Sequence, residues 1–151
     1  MDKIIVTALL LIGGVVSAVA MFNAIYPAMT QSNQAMVGME RRIDDQMKTQ
    51  VDIIHAAKSG STVLLWVKNV GSLRVIGVDF SDLFFGPEGA FVRVPYGTGT
   101  PHWEYTVENG GEWTPGATIR ITVVDATLNP GRYFCKFVLP NGITSEYFLS
   151  W

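Results

Sequence analysis

The sequence predicts an α+β protein in which a long N-terminal hydrophobic α-helix is followed by an immunoglobulin-like antiparallel β-sandwich. Three observations carry that prediction. Ile4 to Phe22 runs 19 residues without a charge. Apolar residues then recur at helical spacing as far as Ile54. After Gly60 the pattern changes to short alternating or apolar runs punctuated by glycine, proline and asparagine, as strands and turns require.

The first stretch, IIVTALLLIGGVVSAVAMF, has only Thr7 and Ser17 as polar side chains. At helical rise it extends roughly 30 Å, the thickness of a bilayer's hydrocarbon core. A helix that is apolar on every face must be buried in lipid or in other protein, and the rest of this chain is too short to wrap it. The residues expected to make its packing contacts are Ile4, Ile5, Leu9, Leu10, Ile12, Gly13, Gly14, Val16, Ala20 and Phe22. The small ones among them let apolar helices approach closely. A cleaved secretory signal is the alternative, because Ala18-Val19-Ala20 has the small-x-small form of a cleavage site.

Pro27 follows, and a helix-interior proline removes a backbone hydrogen bond, so a kink is expected between Asn23 and Pro27. Beyond it Met36, Ile43, Met47, Val51 and Ile54 are spaced by 7, 4, 4 and 3, with charged residues between them and Met39 widening the stripe. This reading makes 1–58 a hydrophobic then amphipathic helix, a filament core or membrane anchor, and 59–151 a β-sandwich head. The amphipathic stripe lies either on its own domain or against neighbouring subunits, and the spacing leaves both open.

The expected strands are Thr62 to Lys68, Arg74 to Phe80, Ala90 to Pro95, Trp103 to Glu108, Thr118 to Asp125, Tyr133 to Leu139 and Thr144 to Leu149. Turn chemistry separates them, at Asn69-Val70-Gly71, Phe85-Gly86-Pro87, Asn109-Gly110-Gly111, Pro115-Gly116, Asn129-Pro130-Gly131 and Pro140-Asn141-Gly142. Seven short strands at this spacing suit an immunoglobulin-like sandwich. Asn141-Gly142 predicts a hairpin with a two-residue type I′ turn. The four tryptophans and Cys135, which sits in an aromatic run, read as packing residues.

Function classes narrow by what is missing. The net charge is −2 with no basic cluster beyond Arg41-Arg42, so nucleic acid is not an expected partner. His55 and His102 stand far apart and make no recognisable metal set. The chain has no phosphate loop, nucleophile elbow, HExxH or CxxC. No catalytic residue, cofactor or metal is therefore expected, and the protein reads as structural rather than enzymatic. Asp79, Asp82 and Glu88 offer oxygen ligands, but their spacing matches no calcium loop, and solvated carboxylates are the expectation.

The whole plan resembles the archaeal flagellin (archaellin) family, a branch of the type IV pilin superfamily. Leu65-Trp66-Val67-Lys68-Asn69-Val70-Gly71-Ser72 is similar to that family's first strand and Lys-Asn-x-Gly-Ser turn. Trp113-Thr114-Pro115-Gly116-Ala117-Thr118-Ile119 resembles its Pro-Gly turn leading into a strand, and Pro130-Gly131-Arg132-Tyr133 with Asn141-Gly142-Ile143 resembles its closing hairpin. The resemblance implies a homopolymeric surface filament for swimming, with N-terminal helices bundled in its core and heads outside. It implies as partners the membrane, the archaellum motor and assembly platform, and a prepilin-type peptidase if a leader exists. Only Met1-Asp2-Lys3 precedes the apolar run, so no full leader is visible. Ile5 stands where many bacterial pilins carry a glutamate, which favours archaellin over pilin. Flagellin-like accessory proteins of the motor's static ring share the plan and have an uncleaved hydrophobic N-terminus. A membrane-anchored, stator-like envelope protein is accordingly the alternative, with a single-pass adhesin as the third class.

Overall fold

In a computed structural model the described residues are 1–125 and 127–151. They form two compact units, Met1–Ile43 and Asp44–Trp151. The first unit is helix from Asp2 onward. The helix α1 spans Asp2–Lys48 and so lends its last turn to the second unit. It is helical on both sides of Pro27, although the proline nitrogen has no proton to give the carbonyl four residues back. Thr30 Oγ1 donates back to the Tyr26 and Pro27 carbonyls at 3.2 and 2.9 Å.

The second unit is an antiparallel β-sandwich of eight strands: β1 (Val51–Ser59), β2 (Thr62–Asn69), β3 (Asp82–Pro87), β4 (Val92–Val94), β5 (His102–Val107), β6 (Thr118–Val124), β7 (Arg132–Val138) and β8 (Thr144–Ser150). One sheet has the order β1-β2-β6-β5 and the other β4-β3-β7-β8. Side chains alternate in and out, as the period of a half-buried strand demands. Val63, Leu65 and Val67 of β2 with Ile119, Ile121 and Val123 of β6 are fully buried on one side. Leu83 and Phe85 of β3 with Tyr133, Cys135 and Phe137 of β7 are buried in the other sheet. Trp103 meets Phe137 edge-on, with ring centroids 5.8 Å apart. Trp113 is buried too and donates Nε1–H to the Ala117 carbonyl at 3.0 Å. Burial pushes the Cys135 thiol up to about 12, because a thiolate loses its hydration there.

Five details differ from the expectation. The helix stops at Lys48, and residues 51–59, read as its continuation, are β1. Val51 and Ile53 point into the core while Asp52 and Ile54 point out, so Val51 and Ile54 fit helical spacing only by coincidence. Ser59-Gly60-Ser61, read as a helix stop, closes the β1–β2 hairpin, with Gly60 at φ 63. Arg74 to Phe80 is not a strand. Val75 makes one bridge to Trp113, and Val78–Phe80 is a 3-10 turn entered through Gly77 at φ 68.

The strand in this region is β3, over the phenylalanine-rich stretch read as a turn. It can pass beside β4 because residue 86 is a glycine. A Cβ there would sit 2.7 Å from the Phe91 Cα. Finally, Asn141-Gly142 does close a hairpin, but not as a type I′ turn, since among the described residues, Asn141 included, no non-glycine residue has positive φ. Pro140 leads the turn, Gly142 N–H bonds the Leu139 carbonyl at 2.9 Å and Gly142 takes φ 85. Proline's fixed φ favours a type I turn followed by a left-handed glycine.

Candidate anchor and the clamp at the helix end

All ten contact residues expected from the sequence, Ile4 through Phe22, lie on α1, and no residue of that helix is buried. Ile4 is 75% exposed, Leu10 72% and Ile12 62%. A Cβ added at Gly13 or Gly14 would meet nothing within 4 Å. The helix is long and apolar enough to cross a membrane, with a mean hydropathy of 2.6 over its best window. The two hydroxyls of its apolar span, Ile4 to Phe22, have partners inside the helix. Thr7 Oγ1 donates to the Lys3 carbonyl and Ser17 Oγ to the Gly13 carbonyl, both at 2.7 Å. That removes the penalty an unbonded hydroxyl would incur in hydrocarbon.

The second unit holds the last turn of the helix by backbone hydrogen bonds. Thr49 N–H and Oγ1–H bond the Asp45 carbonyl at 2.9 and 2.6 Å. The loop after β2 then wraps the chain end. Val70 and Gly71 N–H both donate to the Gln50 carbonyl at 2.9 Å, while Ser72 and Leu73 N–H donate to the Lys48 carbonyl at 2.8 and 3.3 Å. Carbonyls left open at a helix C-terminus are thereby satisfied. From the far hairpin, the Asn141 carbonyl accepts from Gln46 Nε2 at 2.7 Å.

Two residues make this clamp possible. Asn69 is fully buried; its Nδ2 donates to the carbonyls of Leu73 and Trp113 at 2.8 and 3.2 Å, and its Oδ1 accepts from Gly71 N–H at 3.0 Å. Gly71 lies so close to the helix end that a Cβ would fall 2.4 Å from the Lys48 oxygen and 2.5 Å from the Gln50 nitrogen. The Lys68-Asn69-Val70-Gly71-Ser72 motif was visible in the sequence as turn chemistry. Its contact with the helix terminus was not, because no local pattern reports what a turn packs against. Gln46 was likewise missed.

The expected carboxylates Asp79, Asp82 and Glu88 are not brought together as a ligand set. Asp82 pairs with Arg93 at 2.6 Å and Glu88 with Arg132 at 3.3 Å. Among the described residues no group of three His, Cys, Asp or Glu side chains could hold a metal. His55 stacks near Trp66, with ring centroids 5.2 Å apart, and the ring of His102 lies against the Gly99 carbonyl. Outside the second sheet, Phe84, Phe91, Phe134 and Phe148 line a shallow apolar surface.

No protein-family model matches the chain, and neither does any curated protein. Solved structures do. The archaellum periplasmic stator protein FlaG from Sulfolobus acidocaldarius is similar at 30% identity and a TM-score of 0.62, over 67% of this chain and 99% of that one. The chain belongs to the FlaG family. A second structure, the complex of the stator proteins FlaF and FlaG from the same organism, matches at 30% identity and a TM-score of 0.60, covering 67% of this chain and 89% of that one. As a FlaG relative the chain is archaellum-related, and its α+β plan with a β-sandwich fits that family. The family found differs from archaellin, the one the sequence resembled, while the archaellum itself is common to both.

Proposed function

We propose that this protein is a membrane-anchored envelope component of the archaellum, a non-enzymatic stator protein, rather than a subunit of the swimming filament. The likeness of its sandwich to FlaG, described as a periplasmic stator protein, is the observation that carries this reading. The apolar helix supports it physically. Burying a 19-residue apolar segment in lipid at about 25 cal/mol per Å2 offers on the order of tens of kcal/mol before entropy is subtracted, enough to hold the chain in a membrane. The clamp supports it as well. A static part must pass load between membrane and envelope, and the last helical turn is tied into the sandwich by backbone hydrogen bonds rather than by a loose linker. By analogy with the FlaF and FlaG complex, a FlaF-like protein is the proposed partner.

Deletion of the gene in the native host tests the reading. Cells should keep their filaments and lose swimming, with recovery on re-expression. Loss of the filaments themselves would point back to a filament subunit.

A further inference from the structure

A heptad frame runs along the helix beyond the apolar span. Phe22, Met29, Met36 and Ile43 recur at intervals of seven, and Ile25, Ser32 and Met39 fall three residues after the first three of them. These are the a and d positions of a coiled coil, where side chains from facing helices interlock. The frame does not begin at Phe22, since Ala8, Leu11, Val15 and Ala18 occupy the same two positions inside the apolar span. Pro27, Gln34 and Arg41 all fall at f, the position facing away from a partner. The seam is uncovered, with Met29 63%, Met36 61% and Met39 67% exposed.

We infer that a second copy of this chain covers that seam, the two helices pairing parallel and in register from Phe22 to Ile43. This rests on the membrane-anchor reading, because the shared apolar span is what sets direction and register. Two identical spans sit at the same depth and point the same way, so each layer brings a residue against its own copy. Any other partner would have to carry the same frame at the same height.

The chemistry of the layers fits a self-pair. No a or d position from Phe22 to Ile43 is charged, so no layer repels itself. Ser32, the one polar layer, carries both a donor and an acceptor and can bond its own copy. On the flanks Ala28 faces Asn33 and Ala35 faces Glu40, so no like charges meet there. The seam ends where Gln46, the next d residue, is already engaged with the Asn141 carbonyl.

Cysteine cross-linking of the full chain in native membranes tests the pairing. The single natural cysteine, Cys135, is buried and gives little background. Ser32→Cys, Met36→Cys and Met39→Cys are compared with Gln34→Cys and Arg41→Cys, all at exposed positions that leave the sandwich untouched. After mild oxidation the three seam variants should give at least 10-fold more disulfide-linked species than the two outer ones, with a mass of twice the chain. A flat pattern, no cross-link, or an adduct of another mass would overturn the pairing. A monomer that stays in the membrane fraction would overturn it alone. A chain absent from that fraction would remove the anchor and the pairing together.

Discussion

Gly71→Ala probes the clamp with the smallest possible change. The added carbon would lie 2.4 Å from the Lys48 oxygen and 2.5 Å from the Gln50 nitrogen, and both are backbone atoms that cannot swing aside. Overpacking of this kind costs about 1–3 kcal/mol, and the upper end applies because no flexible side chain absorbs it. Displacing the loop also weakens hydrogen bonds to the Gln50 and Lys48 carbonyls, each worth about 0.5–1.5 kcal/mol net. The sum is about 3–4 kcal/mol, and at roughly 4 °C per kcal/mol for a domain near 100 residues the melting temperature should fall by about 12–16 °C. Gly60→Ala is the control. Gly60 has φ +63 and open space around it, so alanine there meets only the left-handed penalty of about 1–2 kcal/mol, or roughly 4–8 °C. Thermal unfolding of the purified protein followed by tryptophan signals reads both. If Gly71→Ala melts no lower than Gly60→Ala, the close approach is not holding the helix end.

Asn69→Ala should lower stability by about 2–3 kcal/mol, because the Leu73 carbonyl and the Gly71 N–H lose a buried partner. Its effect in denaturant titrations should be less than additive with Gly71→Ala, since both act on one loop. Ile12→Asp with Val16→Asp places two charges in the apolar span, at about 2.5–3.5 kcal/mol each on insertion scales. The variant should lose much of its resistance to alkaline carbonate extraction from membranes, and full retention would show that another segment anchors the chain. The Cys135 thiol has its folded-state value raised from 9.0 to about 12. The folded state therefore holds a proton that the unfolded chain releases between those values, and this contribution is complete below about pH 9 and lost as pH rises towards 12. Stability should drop there by up to about 1.4 kcal/mol per pH unit from this group. Cys135→Ala should flatten that slope in urea titrations at pH 9 to 11.

The sequence made the helix and most of the sandwich legible because they rest on strong local patterns. Nineteen uncharged residues admit few readings, and β2, β6, β7 and β8 alternate or run apolar between clear turns. Failure came where two periods fit the same residues. Met47, Val51 and Ile54 satisfy helical spacing, yet β1 gains a ladder against β2 from Val51 to Ser59, broken only by a bulge at Ile54, and tertiary pairing overrides the local pattern. Phe84-Phe85-Gly86-Pro87 carries turn residues, but its glycine marks close passage of β4 rather than a reversal. At Asn141, proline one position earlier selected the turn type. The clamp depends on residues over 20 positions apart, Lys48 with Ser72 and Gln46 with Asn141, which no window along the chain can report. The family resemblance reached the archaellum through the whole helix-and-sandwich plan and the turns at Lys68 to Ser72, Trp113 to Ile119 and Pro130 to Ile143, and it could not separate filament from envelope because the sandwich plan is shared.

The envelope reading is tested most directly by shearing filaments from native cells and weighing this chain by mass spectrometry in the filament and membrane fractions. The account predicts that it stays with the membrane and is absent from purified filaments. Recovery of the chain as the main mass of long uniform filaments would contradict it.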